Sequence, residues 1–161
     1  MQYRRKQPVN NMTRGTKGLI SFLVMFFAIG FLLLQLFSRI VWTFGDSPEA
    51  GLRSIAAAVL PLMISAYFGF IARPRMPVRD SRAPIVNNFI IFLLWTVVVI
   101  GVDRSIGVAV FPLAELLYSI TLAAMLWRYR YLDSLKSLIA ACYGILAGAL
   151  AAIIIFGGLV V

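Results

Sequence analysis

Five apolar runs divide this chain, and each is long enough to cross a bilayer as a helix. They extend over about 18–42, 51–72, 85–102, 106–127 and 138–161. A helix needs roughly 20 apolar residues to span the hydrocarbon core of a membrane. Backbone groups in lipid must be paired internally, and the runs lack the alternation of barrel strands. The sequence therefore predicts an all-α fold, a polytopic integral membrane bundle of about five transmembrane helices.

The composition of the chain also indicates that lipid surrounds it. Hydrophobic residues make up 61% of the chain and charged residues 13%. Soluble domains have about 45–50% apolar residues and about 25% charged residues. A chain of 161 residues cannot bury such an excess in a soluble core, so lipid is the expected surrounding.

The net charge of +9 is arranged in clusters between the apolar runs. If every run crosses the membrane, twelve of the fifteen basic residues fall on one side. These twelve are Arg4, Arg5, Lys6, Arg14, Lys17, Arg73, Arg75, Arg79, Arg82, Arg128, Arg130 and Lys136. Positive charge concentrates on the cytoplasmic side of membrane proteins. The pattern predicts a cytoplasmic N-terminus, a basic tail over 1–17, a transmembrane domain over 18–161, and a bacterial-type inner (plasma) membrane.

The basic clusters also indicate what the chain contacts. Arginines in the loop after the second run are expected to touch anionic lipid headgroups, at Arg73, Arg75, Arg79 and Arg82. The basic and aromatic run RYRYLDSLK (128–136) is interpreted as an interfacial belt, and nucleic acid is not an expected partner.

Several classes of chemistry are excluded by residue counts. The chain has no histidine and one cysteine, Cys142, which excludes histidine-based zinc sites, bis-histidine haem and the catalytic triads that need histidine. P-loop, Rossmann and paired-carboxylate patterns are also missing. We therefore expect no catalytic residues, no cofactor and no metal.

One carboxylate interrupts the fourth run. Glu115 lies nine residues after Ile106, so at about 1.5 Å per residue it is expected roughly 13 Å below the outer face. A charge there costs at least about 2–3 kcal/mol and must be neutralised, paired or placed in a cavity. Helical spacing puts Tyr118 and Ser119, together with Pro112, on the same face as Glu115. Pro112 is expected to kink this helix, as Pro61 does the second.

The outer half of the bundle supplies candidate partners for this carboxylate. Arg39 closes the first run, with Gln35 one turn before it, and Arg53 opens the second run. A long arginine side chain can reach inward, so we expect Arg39 or Arg53 to pair with Glu115. Three interpretations stay open. Glu115 binds a proton, a cation or a basic group; it forms an internal ion pair or hydrogen bond that fixes helix register; or it meets an arginine of another subunit.

The fifth run carries a ridge of small residues. Its members are Ala140, Gly144, Gly148 and Ala151, of which the two glycines form a GxxxG pattern. Small residues let membrane helices approach closely. The ridge is a candidate helix-packing interface, either within the chain or with another subunit.

Three functional classes follow. The favoured one is a small non-enzymatic membrane subunit that assembles with partner membrane proteins or with itself through intramembrane helix packing. The alternative is a small transporter or channel that uses Glu115 for a proton or cation. A lipid-modifying membrane enzyme comes last, because the chain has six carboxylates and no histidine.

Overall fold

A computed structural model describes residues 11–71, 82–106, 112–131 and 135–157, and side chains within 15–68, 85–106, 112–125 and 136–157. The described residues form five α-helices and no strand, which confirms the all-α prediction. The helices are α1 (Asn11–Asp46), α2 (Pro48–Ile71), α3 (Arg82–Ser105), α4 (Leu113–Tyr131) and α5 (Leu135–Phe156).

A single residue, Ser47, separates α1 from α2. Its backbone N–H donates to the carbonyl of Thr43, and its side-chain oxygen accepts from the N–H of Ala50 at 3.1 Å. Ser47 thus caps α2, and Pro48 occupies the first helical position, where its missing N–H is not needed. The hairpin closes tightly because Gly51 leaves room for the ring of Phe44.

Helix directions alternate along the chain. Ser54 of α2 contacts Glu115 of α4 while Ser65 contacts Ala123, so α2 and α4 run parallel. Gly148 of α5 lies against Leu93 of α3. Further along both helices, the ring of Phe156 lies beside Gly101, so α3 and α5 are parallel too.

Helix α4 occupies the centre of the bundle and contacts each of the other four helices. Around it the order is α2, α1, α5, α3, and the α3–α5 contact is the most extensive. The ring does not close: among the described residues, no Cα atom of α2 comes within 8 Å of one in α3.

Helix α4 also differs from the other four in length and composition. Four helices are long and apolar enough to cross a membrane, within Gly15–Asp46, Pro48–Phe68, Ile85–Ser105 and Lys136–Phe156. The apolar part of α4 in the described side chains, Leu113–Met125, is shorter. At about 1.5 Å per residue, the 36 residues of α1 extend about 54 Å, well beyond a core of about 30 Å.

The helix ends differ from the predicted bounds in two informative places. Helix α1 begins at Asn11, inside the segment predicted as a tail. Helix α4 begins at Leu113, not near Ile106, so Pro112 precedes the helix and the kink predicted at Pro112 is wrong. Proline disfavours helical geometry in the residue before it, which explains why the helix begins after this position.

Large apolar side chains cover the outside of α1, α2, α3 and α5. They include Phe22, Phe26, Phe37, Leu60, Met63, Tyr67, Ile91, Leu94, Val98, Leu150, Ile154 and Ile155, all exposed. Soluble monomers do not expose apolar surface on this scale. The polar side chains Glu115, Ser119, Thr121 and Ser54 are buried instead, an arrangement suited to an apolar surrounding.

Candidate functional site

Glu115 lies in the first turn of α4, with 3% of its surface exposed. The hydroxyl of Ser54 on α2 donates to its carboxyl oxygen Oε1 at 3.1 Å. The first turn of a helix favours negative charge because its N–H groups point outward unpaired. Glu115 therefore sits near one end of a buried helix rather than in mid-helix as the sequence suggested.

Neither arginine expected beside Glu115 pairs with it. Arg39 forms an ion pair with the carboxylate of Asp103 and also donates to the backbone carbonyl of that residue. Arg53 lies 3.7 Å from Glu49, one turn earlier on its own helix, and both side chains are exposed. The predicted Arg39 or Arg53 pair with Glu115 is thus wrong, because α3 brings a carboxylate nearer to Arg39.

A polar network joins α1, α3 and α4 beside Glu115. The hydroxyl of Tyr118 donates to Oδ2 of Asp103 at 3.0 Å, while Arg39 holds the same carboxylate from α1. The guanidinium also stacks 5.4 Å from the ring of Trp42. No Cα atoms of α1 and α3 lie within 8 Å in the described segments, so this network joins two helices whose backbones stay apart.

Serines link α4 to α2 along their length. Ser119 donates to the carbonyl of Ala58, three residues before Pro61, and Ser65 donates to the carbonyl of Ala123 at 3.2 Å. Pro61 has no N–H to donate to the carbonyl of Ala57, so helix bonding is weakened in this turn of α2, and the donor from α4 adds a bond at the next residue. These bonds, with Ser54–Glu115, hold the two parallel helices in register.

On its other side, α4 is bonded to α3. The indole N–H of Trp95 donates to the hydroxyl of Thr121 at 2.8 Å, and that hydroxyl donates in turn to the carbonyl of Leu117.

Gln35 on α1 is buried, one turn from Arg39 as the sequence predicted. The structure therefore gathers Glu115, Tyr118, Ser119, Gln35 and Arg39 into the interior, and leaves Arg53 at the surface.

The small-residue ridge of α5 faces α3 of the same chain. A Cβ at Gly144 would collide with the backbone carbonyl of Phe89, and one at Gly148 would lie 2.6 Å from the carbonyl oxygen of Leu93. Ala140 is buried on this helix and Ala151 is half-buried. The two glycines are thus occupied by an intrachain contact, the first of the two interpretations above.

Two residues of this site were missed from sequence. They are Ser54 on α2 and Asp103 near the end of α3. The signal for Asp103 was its position directly after the third apolar run, fifteen residues before Tyr118. Arg73, Arg75 and Arg79, and the side chain of Arg82, lie outside the part of the chain that the structure describes.

The chemistry open to this cluster follows from its side chains and their partners. In the described ranges, no group of three or more Cys, Asp or Glu side chains is placed to hold a metal ion. Glu115 has a hydroxyl partner, while Asp103 is neutralised by arginine. The cluster can fix helix positions, and Glu115 can exchange a proton.

Comparison of the chain with protein-family models, with curated proteins and with solved structures finds no match.

Proposed function

We propose that this protein is a small, non-enzymatic integral membrane subunit whose role is to assemble with other membrane proteins, or with itself, through its helix surfaces. The observation that carries the proposal is the division between a polar interior and an apolar exterior. The cluster around Glu115 and Asp103 is bonded inside the chain, whereas the exposed surface of the four surrounding helices is apolar.

The outer face of α1 is the surface that we assign to assembly. Phe22, Phe26, Leu33 and Phe37 recur at helical spacing on one side and are all exposed. Between them Gly30 has nothing within 4 Å of the position its Cβ would take. Association in lipid depends on close packing, so bulky side chains around a glycine give a partner helix both a ridge and a notch.

The test is the mass of the particle extracted in native nanodiscs from wild type, Gly30→Leu and Ala56→Leu. Ala56 is exposed on α2, so its variant makes a similar small-to-large change on a different face. We expect Gly30→Leu to reduce the assembled form and Ala56→Leu to leave it unchanged. A wild-type particle of one chain and no partner would contradict the proposal.

We further infer five crossings with a cytoplasmic N-terminus. The alternating helix directions and the one-sided basic residues support this topology. In a Cys142→Ala background, single cysteines at Gly15 and Asp46 would be labelled with a membrane-impermeant maleimide. We expect labelling of intact cells at Asp46 and not at Gly15; the reverse pattern would invert the orientation.

A second candidate function is transport of a proton or cation through Glu115. It is favoured by one observation: among the described side chains, no arginine or lysine lies within ion-pair distance of this buried carboxylate. Glu115→Gln separates the two candidates. Loss of proton flux in proteoliposomes with an unchanged particle mass would favour transport, whereas an unchanged flux with wild-type assembly would leave the subunit proposal.

A further inference from the structure

The open side of the helix ring forms a groove between α2 and α3, with α4 as its floor. Three consecutive residues of α4 define it. Ser119 bonds to α2, Thr121 bonds to Trp95 of α3, and Ile120 between them is exposed. At 38%, Ile120 is the one exposed side chain among the described residues of α4.

Helix geometry identifies the rims. On α2, the positions that contact α4 are Ser54, Ala58 and Ser65, and Gly51 faces Phe44 of α1. At 3.6 residues per turn, the residues just before the three α4 contacts lie on the side of α2 opposite Gly51; these are Arg53, Ala57 and Ile64. On α3, Ile91 and Val98 lie one turn to either side of Trp95 and are exposed. We name the surface formed by Ala57, Ile64, Ile91, Val98 and Ile120 the α2–α3 groove.

Arg53 stands at the end of the α2–α3 groove nearest the α1–α2 turn. Its side chain is 58% exposed, and its contact with Glu49 is loose and solvated, so that contact contributes little. From Arg53 to Ile64 the rim extends eleven residues, or about 16 Å along the helix. This is about half of a hydrocarbon core of about 30 Å, the depth of one leaflet.

We propose that the α2–α3 groove binds one phospholipid, with its phosphate on Arg53 and an acyl chain along Ile64 and Ile120. Charge complementarity supports the headgroup, because a guanidinium forms paired hydrogen bonds with phosphate oxygens. The narrow floor supports the chain: a helix is about 10–12 Å across with its side chains, too broad for a groove that exposes one residue of α4. The inference rests on the membrane placement proposed above.

The test measures phosphatidylglycerol retained per protein chain by native mass spectrometry during washing in mild detergent. We expect one lipid on wild type. Arg53→Gln removes an exposed side chain and should lower retention about tenfold, as expected for loss of a charged hydrogen bond. Arg53→Lys should retain an intermediate amount. Ile120→Trp fills the floor and should abolish retention, whereas Ile154→Trp, at an 82% exposed position on α5, should not change it.

Equal retention by wild type, Arg53→Gln and Ile120→Trp would overturn the proposal. So would a lower particle mass in Ile120→Trp with unchanged lipid retention, since that result assigns the groove to a partner helix. Recovery of the wild-type chain from the aqueous fraction, without detergent, would instead remove the membrane placement on which both proposals depend.

Discussion

The close contact between α3 and α5 makes a sharp prediction about Gly148. Replacing it with alanine would place a Cβ 2.6 Å from the carbonyl oxygen of Leu93 and 2.8 Å from Cβ of Thr96. One obstacle is backbone and the other is a β-carbon, so neither can rotate away. Real Cβ contacts are rarely closer than 3.0 Å, and the two helices must therefore separate by several tenths of an ångström.

The expected magnitude combines two effects. Overpacking a well-filled interior costs about 1–3 kcal/mol. Replacing glycine with alanine inside a helix returns up to about 1 kcal/mol. The second effect is shared by Gly18→Ala, a matched control inside α1 with open space around it and outside the surface assigned to assembly. The difference between the two variants isolates the packing cost, so Gly148→Ala should be less stable than Gly18→Ala by about 1–3 kcal/mol.

Reversible unfolding in mixed detergent micelles with increasing SDS, followed by tryptophan fluorescence, measures this difference. Trp95 on α3 is half-buried and bonded to α4, so it reports separation of the bundle. A difference of about 2 kcal/mol corresponds to roughly a thirtyfold change in the unfolding equilibrium constant. If Gly148→Ala were as stable as Gly18→Ala, the close approach of α5 to α3 would be refuted.

Two further predictions concern the polar cluster and use the same unfolding assay. Arg39→Gln should destabilise the fold by about 3 kcal/mol, because Asp103, with 13% of its side chain exposed, is left without its cation. Adding Asp103→Asn should recover part of the loss. Arg53→Gln, at an exposed pair, should change stability by less than about 1 kcal/mol, and equal effects of the two arginine variants would contradict this difference. Glu115→Gln keeps an oxygen that can accept a hydrogen bond from the Ser54 hydroxyl, whereas Glu115→Leu does not. The leucine variant should therefore be less stable than the glutamine variant by about 1–2 kcal/mol. Equal stability of the two variants would show that this hydrogen bond contributes nothing.

The helices themselves were predictable because apolar run length is read directly from sequence. All five runs contain a helix, and four meet the length and composition of a membrane span. The ends were harder to predict, since apolar content does not show where a helix starts. The fourth run begins with apolar residues near Ile106, but the helix begins directly after Pro112. Proline constrains the backbone locally, and hydropathy does not report that constraint.

The sequence predicted several residues of the candidate site, but it did not predict which side chains pair with one another. Helical spacing placed Glu115, Tyr118 and Ser119 on one face, and all three are buried. Which arginine meets which carboxylate depends on how helices are arranged around α4, and spacing within one helix carries no information on that. Asp103 reaches Arg39 because the last turns of α1 and α3 lie at the end of the bundle where α4 begins.

The central position of α4 explains how one chain holds both an apolar exterior and a polar helix. Its neighbours bury its polar side chains in the described segment, so these groups meet hydroxyls and carbonyls of other helices. An unpaired polar group in an apolar environment costs about 2–7 kcal/mol, so the surrounding helices supply partners that the polar groups of α4 require. The same groups then fix its register, because a shift of one residue along α2 would break the bonds of Ser54 and Ser119 together. The least apolar helix therefore depends on the others for its environment, while they depend on it for their mutual positions.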